Sequence, residues 1–478
     1  MERRYMDIKT KRYSLMTYPR RKLIPRLFRK VDLSFIPQSF SLLYKTVGGL
    51  GSNNAKILAN LTFQLPLEGD LDTARLERSI ARVRNEEGIL RSYLIGKFGK
   101  FYVQEKEPQE FNLIEVDLPG EDRDERIDSC ERYLDEQART PLDLFDPDGE
   151  QVRFRLIKID DSLHFLMFMI SHIVIDYGGV TSIINRIFRY YNDESAEKLF
   201  CKGFDEFIKR EYEFLESPKS REEKQYWKDL LRGYKRNTLS KERSKRNTER
   251  NKDVSLYLDK KAIEEVSRRE KTSTFNMLML GFHLSLAKLL DVNDVVSSYI
   301  ISNRADKEFR DTPGLLARLM YCRTVFNRDD TFKDAQAMIR KSIGEGYSHR
   351  RAAPECGLKS SMFILDENIG EITGAPKFND EPINVHARIN IETWEGMFPS
   401  GTFMVMVLPE GDGLSVKLIG DNRKYGDQLI AIRDNLELAI HFMSHYSNRP
   451  LREFFRSDLE MDNVDIEQDD LGIMVLSY

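Results

Sequence analysis

The stretch FLMFMI at residues 165–170 is six apolar residues without interruption, running into Ser171, His172 and, four places on, Asp176, with Gly178 and Gly179 close behind. A run this short cannot make a helix of its own, and it lacks the polar alternation of a half-exposed strand. It predicts a strand covered on both faces. A chain with such a strand must supply helices or a second layer on both sides of a sheet, and the neighbouring sequence does so. AKILANLTFQLPLEGDLDTARLERSIARVRNEEGILRSYLI reads as a strand, a turn through Gly69, a helix from Leu71 with Leu76, Ile80 and Val83 on one face, and a second strand, a β-α-β unit. RIDSCERYLDEQARTPLDL predicts a helix stopped before Pro141; QVRFRLIKI and SLHFLMFMI predict strands, and VTSIINRIFRYYN a helix.

The same texture returns later, with strand VSLYL, helix KKAIEEVSRRE, an apolar helix TFNMLMLGFHLSLAKLL and strand DVVSSYIISNR. No residue-level repeat accompanies it. At 478 residues the chain exceeds one small core, and two α/β lobes of similar size are the economical expectation. The boundaries read as a basic extension at 1–31, a first lobe at 32–231, a charged linker at 232–252, a second lobe at 253–456 and an acidic tail at 457–478. The linker carries nine basic residues against two acidic ones, with no apolar periodicity. Residues 1–30 hold eleven Lys or Arg against Glu2 and Asp7, and the tail has seven acidic residues between Asp458 and Asp470.

Charge over the whole chain nearly cancels at −4, which gives no bias toward nucleic acid. Cys130, Cys201, Cys322 and Cys356 are widely separated, with no zinc-ligand spacing, and fit a reducing compartment. No stretch reaches the ~18 apolar residues of a membrane span, and no signal peptide is visible. The expectation is a cytoplasmic protein.

Two motifs with superficial chemistry are set aside. GGLGSNN at 48–54 lacks the Lys-Ser or Lys-Thr of a phosphate-binding loop. His441 and His445 are four apart on a predicted helix but belong to no H-E-x-x-H pattern, so they read as a surface pair and no metal site is expected. No G-x-S-x-G elbow is present.

His172 remains. Taken alone, it could be a core histidine satisfied by a local hydrogen bond. At a strand end it could instead stay neutral and accept a proton from an incoming amine or hydroxyl. Asp176 would then brace the loop by pairing with an arginine, and Gly178 and Gly179 would let backbone approach a substrate.

SHIVIDYGG resembles the His-His-x-x-x-Asp-Gly signature of condensation domains of nonribosomal peptide synthetases and of chloramphenicol acetyltransferase-like acyltransferases. LEGDLDTARLERSIARVRNEEGILRSYL, TPLDL followed by VRFRLIKIDDSLHFLMFMISH, YWKDLL at 226–231, DVVSSYIISNRADKEFRDTPGLLARLMYCRTVFN and GYSHRRAAPE at 346–355 are similar to further family segments, in the family's order. The resemblance runs from about residue 33 to 455. It implies two acetyltransferase-like lobes forming a V-shaped pseudo-dimer with a central tunnel. It implies that His172 orients or deprotonates an acceptor attacking a thioester, and that Asp176 is mainly structural, with Arg91 as its candidate partner. Backbone N–H groups near Gly178 would serve an oxyanion, and Asn303 and Arg304 would shape the tunnel. The donor would arrive as a phosphopantetheine thioester on an acyl or peptidyl carrier protein, or as a coenzyme A thioester, with no permanently bound cofactor.

The chain departs from the signature at two places, Ser171 for the first histidine and Tyr177 for the glycine after the aspartate. A side chain at 177 alters the allowed backbone conformations and could narrow the tunnel. The expected function is a free-standing condensation enzyme forming an amide from a carrier-bound acyl or aminoacyl thioester and an amine. The alternatives are an ester-forming relative using an alcohol, and a catalytically silent homologue that recruits other proteins.

Overall fold

The computed structural model describes residues 30–32, 57, 59–97, 100–240, 254–352, 360–365, 376–383, 385–388 and 400–456. The GGLGSNN stretch, the acidic tail, most of the basic extension and residues 241–252 of the linker lie outside them.

In the first half, strands β1 (Lys30–Asp32) and β2 (Asn60–Glu68) precede helix α1 (Thr73–Glu86), a 3-10 turn (Gly88–Arg91), and strands β3 (Ser92–Lys97), β4 (Lys100–Glu105) and β5 (Ile114–Asp117). Helix α2 (Arg123–Ala138), strands β6 (Val152–Lys158) and β7 (Leu163–Ser171), and helices α3 (Tyr177–Asn192), α4 (Phe204–Leu215) and α5 (Pro218–Leu230) complete it. The second half runs β8 (Val254–Asp259), α6 (Lys260–Arg269), α7 (Thr274–Leu290), β9 (Asp294–Ile301), β10 (Arg318–Val325), α8 (Phe332–Ser348), β11 (Met362–Leu365), β12 (Lys377–Phe378), β13 (Glu381–Pro382), β14 (His386–Arg388), β15 (Met404–Glu410), β16 (Gly413–Ile419), α9 (Asn422–His445) and α10 (Leu451–Arg456).

Two mixed sheets organise these elements, one of five strands in the order β14-β2-β7-β6-β5 and one of six in the order β10-β9-β11-β15-β16-β8. Strand β7 lies in the middle of the first and is covered on both faces, as its sequence requires. Phe165 and Met167 face Cys130 and Leu134 of α2. Leu166, Phe168 and Ile170 join the core under α1 and α3, with Leu76, Ile80, Val83, Ile183 and Ile187. Each fully buried side chain of this kind contributes about 1.5–3 kcal/mol, so the strand is a fixed platform for the residues at its end.

The predicted β-α-β unit is not one sheet. β2 pairs with β7, whereas β3 pairs with β4 in a separate three-stranded sheet with β1. The cause is the 3-10 turn with buried Ile89 and Leu90, which redirects the chain before β3. The start of the 232–252 stretch is also less exposed than its charge suggests. Leu239 is buried in the second core, and the Asn237 side chain donates to Asp294 O (3.0 Å) and accepts from Val296 N (3.0 Å).

Two excursions from the second half enter the first. Strand β14 pairs antiparallel with β2, extending the five-stranded sheet, and Phe378, Ile383 and Val385 pack into its core. The connection between β9 and β10 brings Phe309, Leu315 and Leu316 to the same core. Ion pairs fix this second excursion. Arg186 of α3, wholly buried, binds Glu87 Oε1 (2.7 Å) and Asp311 O (3.1 Å). Glu211 of α4, also buried, binds Arg318 of β10, with Arg210 (3.1 Å) and Arg351 (3.3 Å) beside it.

Candidate active site

Strand β7 ends at Ser171, and the chain turns through His172, Ile173 and Val174 before α3 begins at Tyr177. Two backbone bonds hold the turn, His172 N to Ala59 O (2.6 Å) and Val174 N to Ser171 O (3.1 Å). Ser171 is fully buried, and its Oγ accepts from Ile173 N (3.3 Å). The position where the family signature has its first histidine is therefore an internal part of the turn.

His172 is half-buried, and its Nδ1 lies 2.8 Å from Ile175 O. A carbonyl oxygen can only accept, so this bond places the ring proton on Nδ1. In the neutral ring, Nε2 then carries the lone pair. The local bond that a core histidine would make is thus present, and it is what prepares the other nitrogen to accept a proton.

Asp176 is the N-cap of α3. Oδ1 accepts from Gly179 N (2.8 Å) and from Arg304 Nη2, and Oδ2 from Leu316 N (2.8 Å) and Ala317 N (2.8 Å). Its own N–H donates to Gly314 O (3.2 Å). Four donors, three of them from the β9–β10 connection, satisfy a carboxylate that is 4% exposed. Asp176 is thus a latch between the histidine loop and the second half of the chain.

Arg91, the partner expected for Asp176, does not pair with it. Arg91 binds Glu105 Oε1 (2.7 Å) and the carbonyls of Arg84 (2.9 Å), Asn85 (3.2 Å) and Lys106, tying α1 to β4. Arg304 takes the role. Besides Asp176 it donates to Thr312 O (2.7 Å), Arg310 O (3.1 Å) and Gly314 O (3.1 Å), folding its own loop around itself. Asn303 adopts φ +56° and donates to Leu316 O (3.2 Å). Both residues brace this connection.

The glycines serve the same contact. A Cβ on Gly178 would collide with the Arg304 side chain, and one on Gly179 would lie 2.9 and 3.0 Å from Gly314 N and O. They admit the second half of the chain, where the sequence suggests a substrate. The Gly179 N–H is already engaged by Asp176. Tyr177 occupies the first helical position, open to any residue, so its replacement of glycine imposes no backbone strain. Its ring lies 5.8 Å from that of Phe63.

Sequence reasoning missed Gly314, Leu316, Ala317 and Glu211. The only local signal was the turn dipeptide Pro313-Gly314. Among the described residues no group of three or more His, Cys, Asp or Glu could hold a metal ion, and no helix is long and apolar enough to cross a membrane.

Comparison with known proteins identifies the family and the fold. Residues 52–353 match the condensation-domain family model, and the chain belongs to that family. Condensation domains are acyl or peptidyl transferases that form amide bonds. Curated relatives include bacitracin synthase 3 of Bacillus licheniformis, 23% identical over 410 residues, covering 81% of this chain and 6% of that protein. Chondramide synthase cmdD of Chondromyces crocatus is 22% identical over 313 residues, covering 62% of this chain and 8% of that protein. The chain therefore spans only 6% and 8% of the length of these relatives. Among solved structures, the first condensation domain of the calcium-dependent antibiotic synthetase superposes with a TM-score of 0.68 at 15% identity, covering 94% of this chain and 99% of that one. The SgcC5 protein from Streptomyces globisporus superposes at 0.67 and 18% identity, covering 87% and 100%. These likenesses establish the acetyltransferase-like fold.

Proposed function

We propose that this chain transfers an acyl or aminoacyl group from a phosphopantetheine thioester, delivered on a carrier protein, to an amine, forming an amide. His172 Nε2 is the proton acceptor. The amine nitrogen attacks the thioester carbon, Nε2 takes the proton that the nitrogen must lose, and the pantetheine sulfur leaves and is reprotonated as a thiol. The phosphopantetheine is part of the donor substrate. Asp176 transfers no proton, because both its oxygens are engaged by donors of α3 and the β9–β10 connection.

The observation that carries this reading is the Nδ1 bond to Ile175 O, which gives the ring a defined tautomer at the end of a rigid strand. Ser171 supports an active site over a silent one, since the altered signature position is wholly internal. An alcohol acceptor giving an ester would use the same base, and SgcC5 was solved with a naphthyl ethanediol, so alcohols belong in the test. Purified protein is mixed with donor-loaded carrier proteins and a panel of amines and alcohols, and products are identified by mass spectrometry for wild type and His172→Ala. Wild type is expected to form amide, with the variant slower by roughly 10²–10⁴-fold. Equal product from both would remove His172 from the chemistry. Ester with no amide would replace the acceptor class.

A further inference from the structure

Helix α9 ends at His445, and one turn earlier on the same face stands His441. Both residues lie at the surface, and neither takes part in the site described above. Their rings lie 4.5 Å apart, centre to centre, at an interplanar angle of 34°. His445 Nδ1 donates to His441 O (3.0 Å), which puts the proton on Nδ1 and leaves Nε2 as the ligating nitrogen.

From this geometry we infer that His441 and His445 form a two-imidazole chelate for a divalent transition-metal ion, preferring Cu²⁺ or Ni²⁺, with water completing the coordination. An ion shared by both Nε2 atoms at metal–nitrogen distances of about 2.0–2.1 Å would see ring centres at this separation at roughly 90°. That is the cis angle of square-planar and octahedral coordination, which suits Cu²⁺ and Ni²⁺ better than tetrahedral Zn²⁺. Copper is also the strongest binder of the divalent series on nitrogen ligands. The location helps, because the last turn of a helix is its negative end and stabilises a cation. Arg269, which reaches that helix end through Met443 O and Ser444 O, has its charge offset by Glu270 Oε1 (3.1 Å). Glu437 and Asp434, one and two turns before His441 on the same helix, are carboxylates in line with the pair.

The H-E-x-x-H test applied to the sequence excludes only a catalytic zinc helix. A chelate needs nothing beyond two nitrogens converging, and ring separation is invisible in spacing alone.

The test uses the full chain without an affinity tag, titrated with Cu²⁺ and followed by calorimetry and electron paramagnetic resonance. One ion per chain with hyperfine splitting from two nitrogens is expected. His441→Gln or His445→Gln, both helix-compatible surface changes checked by circular dichroism, should each weaken binding on the order of a hundredfold, the advantage of a second ligand on one scaffold. Copper bound equally well by the double variant, or a one-nitrogen signal in wild type, would overturn the assignment.

Discussion

In the first half of the chain the imidazole of His172 ends a strand, half-buried, with one ring nitrogen engaged by a backbone carbonyl. In the second half the imidazole of His283 sits midway along α7 with no exposure, Nδ1 2.8 Å from Thr324 Oγ1 and Nε2 2.7 Å from Ser297 Oγ. Both lie in apolar sequence, MISHIVI and LGFHLSL. A histidine can move protons only if one nitrogen is left for a substrate, and only the first arrangement leaves one. His283 bolts α7 to β9 and β10.

Four tests probe this contrast, from the largest expected effect down. Asp176→Ala strips the latch and leaves Arg304 buried without its counter-charge. It should destabilise the fold by about 3–5 kcal/mol, read by chemical denaturation, with activity lost as the histidine loop loosens. A double-mutant cycle separates the two candidate partners. Asp176 and Arg304 should couple by about 0.5–3 kcal/mol, while Asp176 and Arg91, which share no contact, should be additive within roughly 0.5 kcal/mol. Gly178→Ala forces a methyl onto Arg304 and should cost about 1–3 kcal/mol, again by denaturation.

The fourth test concerns His283, whose imidazole burial pushes down to about 3 from the ordinary 6.5. Between those values the unfolded chain binds a proton that the folded protein refuses. Its stability contribution is therefore full above about pH 6.5 and is lost as pH falls, at up to about 1.4 kcal/mol per pH unit. Stability measured from pH 7 to pH 5 should fall less steeply in His283→Gln than in wild type. Equal slopes would mean that His283 takes up its proton as readily in the folded protein as in the unfolded chain.

Elements whose signals are local were readable from sequence. The all-round apolar run TFNMLMLGFHLSLAKLL coincides with α7, and Leu76, Ile80 and Val83 are buried along α1 as their spacing indicates. The both-face burial of β7 followed from its unbroken apolar run. Partnerships across the chain were not readable. Arg304 is 128 residues from Asp176, and nothing in its neighbourhood marks it over the many other arginines. The redirection of β3 depends on a single 3-10 turn, and the entry of β14 beside β2 is a long-range pairing with no local pattern. At the candidate site, the sequence singled out His172 and assigned Asp176 a bracing role. Which side of the histidine ring is committed, and to which atom, depended on how the turn closes.

The tautomer of His172 is the point on which the account rests most heavily, and nitrogen-15 NMR of histidine-labelled protein reads it directly, with the signal assigned through His172→Ala. At neutral pH the neutral form should carry its proton on Nδ1, with Nε2 bare and its shift moving when an acceptor amine is added. A proton fixed on Nε2, or an Nε2 indifferent to the acceptor, would contradict it.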